Sequence, residues 1–163
     1  MNTDENLKEA FAGESQANRK YLAFAKKAEE DGFLQVARLF RAAGYAESVH
    51  AHNHLTVMKG INSTEENLKT AIEGEVHEFK EMYPSFIEVA KEEKNDAAVW
   101  TFDVANRVEE MHALLYENAL QNLGNNVEMV YHVCNNCGNT VEREAPEICA
   151  VCGAPKIDFE KIE

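Results

Sequence analysis

Two stretches of the chain carry a glutamate followed three residues later by a histidine: Glu47 and His50 in AESVHAHNH, and Glu109 and His112 in EEMH. On a helix that spacing turns both side chains to one face, so each pair offers a carboxylate and an imidazole to the same point. Each pair also has a glutamate upstream, Glu14 lying 33 residues before Glu47 and Glu75 lying 34 before Glu109. Glu78, which stands where the first half has Ala17, lacks a counterpart. All seven groups (Glu14, Glu47, His50, Glu75, Glu78, Glu109 and His112) fall on stripes that helical periodicity predicts to be buried. Five glutamates in an apolar interior repel one another and lose their solvation. Basic residues fall mostly off these stripes, so something else positive has to sit among them. Two divalent cations bring +4 against the -5 of the five carboxylates, and the charges nearly cancel. A glutamate from each of two helices plus Glu-x-x-His from each of two others is the ligand set of di-iron or di-manganese carboxylate bundles. Glu78 would give one metal an exchangeable ligand.

Four helices are needed to position these groups. Leu7, Ala10, Glu14, Ala17, Tyr21, Ala25 and Ala28 recur at helical spacing and predict a first helix from Thr3 to about Glu30, stopped by Asp31-Gly32. A second runs from about Phe33 to Lys59 and ends at Gly60. Ser63 and Glu66 have the spacing of a capping box, which opens a third helix reaching about Lys94. Pro84 lies inside it and should kink or interrupt it. A fourth spans Asn95-Asp96 to Gly124. The predicted fold is an all-α four-helix bundle over 1–124, a linker at 125–130, and a small β-rich module over 131–163. The connection between the second and third helices, six or seven residues, is short for a crossover along a bundle. So short a terminal module cannot bury an adequate core and is expected to be held by metal.

The 163 residues allow one core of ordinary size with an appendage, and a hydrophobic content of 45% is that of a globular chain. A net charge of -13 argues against nucleic acid or an anionic membrane as partner. No apolar run suggests export or insertion. The cysteines form two close pairs, Cys134-x2-Cys137 and Cys149-x2-Cys152, which suit a metal site in a reducing, cytoplasmic compartment better than disulfides. Each pair is followed by a glycine, Gly138 or Gly153, that permits the tight turn of a metal knuckle. The spacing fits tetrahedral sulfur ligation of iron or zinc with no open position: a one-electron carrier if iron, a structural clip if zinc. His52, His54, His77 and His132 read as surface residues, and Tyr21 and Tyr83 as core aromatics whose phenols want a partner.

Taken together, GESQANRKY around Glu14, AESVHAHNH around Glu47, AIEGEVHEFKEMYP around Glu75 and Glu78, and EEMH at Glu109 resemble the ligand segments of the rubrerythrin family. EAPEICAVCGAPK resembles that family's rubredoxin-like tail, so the resemblance covers essentially the whole chain. It implies a ferritin-like bundle with a non-haem di-iron centre, a peroxidase that reduces hydrogen peroxide to water in defence against oxidative stress. Glu14, Glu47, Glu75 and Glu109 would bind the iron pair, two of them as bridges, with His112 on one iron and His50 and Glu78 competing for the other. Tyr21 and Tyr83 would hydrogen-bond near the centre, and Glu78 would relay protons. Cys134, Cys137, Cys149 and Cys152 would hold a third iron, zinc being the other candidate.

Two positions depart from the family pattern. Asn139 follows the first Cys-x-x-Cys-Gly where an aromatic is usual, and Ala150 follows Cys149 where proline is usual. No Gly-rich dinucleotide fingerprint appears, so NAD(P)H would act through a separate reductase and an electron-donor protein such as rubredoxin. The cysteine site is expected far from its own chain's di-iron centre, which implies a homodimer pairing one chain's tail with the other's bundle. An iron-storing oxidase has no need of the thiolate tail, and a zinc-clipped scaffold leaves the five glutamates unexplained.

Overall fold

A computed structural model describes residues 2–162. Its helices are α1 (Thr3–Glu30), α2 (Leu34–Val57), α3 (Thr64–His77), α4 (Tyr83–Glu92) and α5 (Asp96–Gln121), with a π turn (Glu78–Met82) joining α3 to α4. Strands β1 (Tyr131–Cys134), β2 (Thr140–Glu142) and β3 (Phe159–Ile162) follow. The chain forms two compact units, one ending at Asn62 and the other starting at Ser63.

The first unit is a hairpin of α1 and α2. Gly32 ends α1 in the left-handed conformation (φ +83°) that a side chain disfavours. The two helices approach closely at Gly44, where an added Cβ would lie 3.5 Å from Tyr21 Cβ. Asn18, only 7% exposed, bridges them. Its amide donates to the Gly44 carbonyl at 2.6 Å and to Ser48 Oγ at 2.8 Å, and its oxygen accepts from Arg19 Nε at 2.9 Å. The buried amide is therefore satisfied. Further along, Tyr21, Phe24 and Phe40 cluster with ring centroids 5.6 to 6.4 Å apart. α2 ends two residues earlier than expected: Lys59 takes the left-handed position (φ 56°) and Gly60 N–H returns to the Leu55 carbonyl.

In the second unit, α3 opens on the capping box that Ser63 and Glu66 foretell. The helix runs on to Glu92 without a gap, but the disturbance expected of Pro84 falls ahead of it, as the π turn. Proline has no N–H to return to Lys80 and its ring crowds that carbonyl, so widening the preceding turn relieves the conflict. Tyr83 N–H accordingly donates to the Glu78 carbonyl, five residues back. α5 packs along α3 and α4, and its buried residues are Val104, Val108 and Ala113. Tyr83, Phe86 and Phe102 form a second ring cluster, at 5.6 to 6.3 Å, that matches the first.

The π turn explains the uneven repeat. Phe40 to Glu47 and Phe102 to Glu109 are both seven residues, but Glu14 to Tyr21 is seven and Glu75 to Tyr83 is eight. The additional residue is the one that the wide turn accommodates.

The three strands pair antiparallel in the order β2-β1-β3. Cys134, Cys149 and Ala154 form the interior of this module, with Cys137, Val151, Cys152 and Phe159 against them. The module lies on α5. Arg107 donates to the Val151 and Ala150 carbonyls at 2.9 and 3.0 Å, and a Cβ on Gly138 would meet Val108 Cγ1 at 3.9 Å. Among the described residues, no helix is long and apolar enough to cross a membrane.

Candidate metal centres

In the first unit, Glu14 from α1 and Glu47 and His50 from α2 bring one ligand atom each within 4.8 Å of one another. His50 Nδ1 is 2.9 Å from Glu47 Oε2 and 3.9 Å from Glu14 Oε1. In the second unit, Glu75 from α3 and Glu109 and His112 from α5 do the same. There, His112 Nδ1 is 2.7 Å from Glu109 Oε2 and 3.8 Å from Glu75 Oε1. Each triad has the size and donor set of one divalent ion's protein ligands.

The expectation that these groups are buried needs correcting. Side-chain exposure is 16 to 18% for Glu109, Glu75 and Glu47, 28% for His112, 33% for Glu14 and 53% for His50. In each triad the ligands come from two paired helices, α1 with α2 and α3 with α5.

Even so, the groups of the second triad perturb one another strongly. Burial, with Glu109 beside it, pushes the Glu75 carboxyl up to about 7. Burial and Glu109 also raise Glu78. Tyr83 is raised by burial and then by Glu109, Glu78 and Glu75, so its phenol feels the same carboxylates. The hydrogen bond to Glu109 raises His112 against the opposing effect of burial. Glu78 itself lies outside the three-ligand cluster, and Tyr21 packs against Phe24 and Phe40.

An ion held by this triad would have to displace a proton from Glu75 at neutral pH. Below pH 7 that carboxyl is mostly protonated and above it mostly ionised, so affinity falls as pH drops. Ferrous or manganous titration of metal-free protein should show a loss of at least about tenfold per pH unit below about 7 for the site containing Glu75 and His112, since each ligand's proton adds to the loss. An affinity unchanged down to about pH 5.5 would contradict this assignment.

The four cysteine sulfurs also lie within 4.8 Å of one another. Cys134 and Cys152 are 3.7 Å apart, and Cys137 and Cys149 3.6 Å. Sulfurs about 2.3 Å from a tetrahedral ion stand about 3.8 Å apart, so the set fits that geometry. Gly138 and Gly153, at φ +82° and +78°, return their N–H groups to the Cys134 and Cys149 carbonyls. Burial raises the Cys134 and Cys137 thiols. Of the two departures from the family pattern, the one at Asn139 brings a side-chain contact to the cysteines, whereas Ala150 is held through its backbone carbonyl, which any residue supplies. Asn139, 4% exposed, donates its amide to Cys149 Sγ at 3.6 Å, and the Ala150 carbonyl is held by Arg107.

Sequence reasoning did not single out Thr140, whose Oγ1 is 2.9 Å from His112 Nε2. That contact corrects the expectation that the thiolate site lies far from the carboxylates of its own chain: the module abuts the second triad. Asn18 and Arg107 were equally unmarked. His132, expected at the surface, is half-buried on β1, and its Nδ1 has no hydrogen-bond partner among the described residues.

Comparison with known proteins places the whole chain among relatives. The Rubrerythrin family model matches residues 5–120, and that of the rubrerythrin rubredoxin-like domain matches 132–160. The chain is 35% identical to rubrerythrin-2 of Clostridium acetobutylicum, over 97% of this chain and 95% of that protein. It is 37% identical to nigerythrin of Nitratidesulfovibrio vulgaris, over 96% of this chain and 85% of that one. Among solved structures, fully reduced, all-ferrous nigerythrin is similar at a TM-score of 0.61 and 36% identity, covering 99% of this chain and 87% of that one.

Proposed function

Because the chain belongs to the rubrerythrin family, with its di-iron and rubredoxin-like iron sites, we propose that it is a peroxidase that reduces hydrogen peroxide to water. The two triads, Glu14, Glu47 and His50 with Glu75, Glu109 and His112, would hold the iron pair, and Glu78 would be a further, exchangeable ligand. The duplicated carboxylate-imidazole triad, in a chain that also gathers four thiolates, carries this reading.

When bound by the triads, iron would supply Lewis acidity and electrons to the O–O bond, and iron held by Cys134, Cys137, Cys149 and Cys152 would supply one-electron chemistry. The chain's own residues bind, orient and supply protons. Glu75 and Glu109 converge with His112 on one point, while the ring clusters behind them fix the helices that carry them. Glu78, with its carboxyl raised by burial and Glu109, retains a proton more readily than a solvated glutamate and can pass it to a leaving oxygen. Tyr83, its phenol raised likewise, stays protonated and can donate a hydrogen bond beside it. Re-reduction would come from a rubredoxin-like donor and its NAD(P)H reductase, in a cytoplasmic homodimer.

The test is anaerobic mixing of chemically reduced protein with hydrogen peroxide. The visible thiolate-to-iron absorption should return faster than with dioxygen, at about one peroxide per two electrons. A band that returns no faster with peroxide than with dioxygen would refute the reading.

A further inference from the structure

Thr140 connects the thiolate module to the carboxylate triad on α5. Its hydroxyl donates to the Gly138 carbonyl at 3.1 Å and lies 2.9 Å from His112 Nε2. A hydroxyl has one proton to give. With that proton directed at Gly138, Oγ1 meets His112 as an acceptor, and Nε2 carries the hydrogen. The other ring nitrogen, Nδ1, faces Glu109 and Glu75 and can present its lone pair to a metal ion. Gly138 directly follows Cys137 and lies against Val108 of α5. A short path thus leads from a cysteine ligand through the Gly138 carbonyl and the Thr140 hydroxyl to the His112 ring. Arg107, bonded to two carbonyls of the other knuckle, holds the module in that position.

We infer that Thr140 is a positioning residue that fixes the His112 ring and forms the junction through which electrons enter the carboxylate centre within one chain. The need for electrons rests on the peroxidase reading above. Each passage oxidises the thiolate-held iron from ferrous to ferric and reduces a carboxylate-held iron from ferric to ferrous. No atom moves, and the protons of His112 and Thr140 stay in place. Two passages replace the two electrons taken by one peroxide, and a one-electron donor protein re-reduces the thiolate-held iron.

Thr140→Val keeps the side-chain shape and removes the hydroxyl, whereas Thr140→Ser keeps the hydroxyl. The full-length iron-loaded variants are reduced and mixed with hydrogen peroxide, and the near-ultraviolet di-iron absorption is followed separately from the visible thiolate band. In Thr140→Val, return of the thiolate band should be slowed roughly ten- to a hundredfold more than the di-iron change, at an unaltered thiolate-site potential. Thr140→Ser should restore it. Equal slowing of both bands, or none, overturns the inference. If the wild-type protein does not respond to peroxide, the peroxidase reading fails instead, and the junction is decided on zinc-loaded full-length protein by nitrogen-15 NMR. The His112 Nε2 proton should exchange slowly in wild type and Thr140→Ser, and at least about tenfold faster in Thr140→Val. Equal exchange in all three would exclude the junction.

Discussion

Glu75→Gln is expected to make the metal-free protein more stable and the metal-loaded protein incompetent. The carboxyl is raised from an ordinary 4.5 to about 7, by burial first and by Glu109 second. A carboxyl raised on folding stays protonated in the native chain after the unfolded chain has ionised. Its stability contribution is therefore present below 4.5, is lost as pH rises toward 7, and is absent above that. Glutamine keeps the shape and carries no charge, so the variant should equal wild type near about pH 4 and exceed it by about 1 kcal/mol near about pH 8, solvent screening keeping the gain small. With metal present the sign reverses, because a ligand is lost: the variant should bind one ion fewer and lose roughly a hundredfold in turnover. Denaturant titrations at the two pH values, with and without metal, separate the effects. A variant less stable than wild type at both pH values without metal would show that Glu75 is a structural residue.

The second large effect concerns Cys149, 2% exposed in the module's interior. Since cysteines make up most of that interior, the ion they hold is the module's core in all but name. Cys149→Ser should abolish the visible thiolate absorption and unfold the strands, at a cost on the order of several kcal/mol, while the helices persist. Amide exchange shows the division: protection should vanish on β1, β2 and β3 and survive on α1 to α5. Turnover supported by a donor protein should fall to background. Chelation at mildly acid pH should put the wild-type protein in the same state. Protected strands in the metal-free variant would mean that the module folds without its ion.

Local signals were the legible part of the sequence. Asp31-Gly32 does stop a helix and Ser63 with Glu66 does open one, because caps depend on neighbours in the chain. Likewise, Glu-x-x-His sets its two groups side by side whatever packs around the helix. Contacts between distant segments were not legible. Thr140 meets His112 across 28 residues and Arg107 meets Val151 across 44, and no periodicity encodes either. The burial of the triads was overstated for a related reason: an apolar stripe tells which face turns inward, but not how many layers cover it. The π turn left one trace in the sequence, the uneven 33 and 34 residues between upstream and downstream glutamates.

That wide turn also has a genetic meaning. The two helical halves share their ring clusters and their triads, and they differ in spacing by a single residue between Glu75 and Tyr83. One in-frame codon is enough to account for that difference. Deleting any codon from 79 to 82 would give Tyr83 the seven-residue distance from its upstream glutamate that Tyr21 has. The wide turn would close, and Glu78 and Tyr83 would lose their common bearing on the carboxylates. The unequal spacing of the two halves is thus one codon deep, and Glu78 in place of Ala17 is the difference that remains.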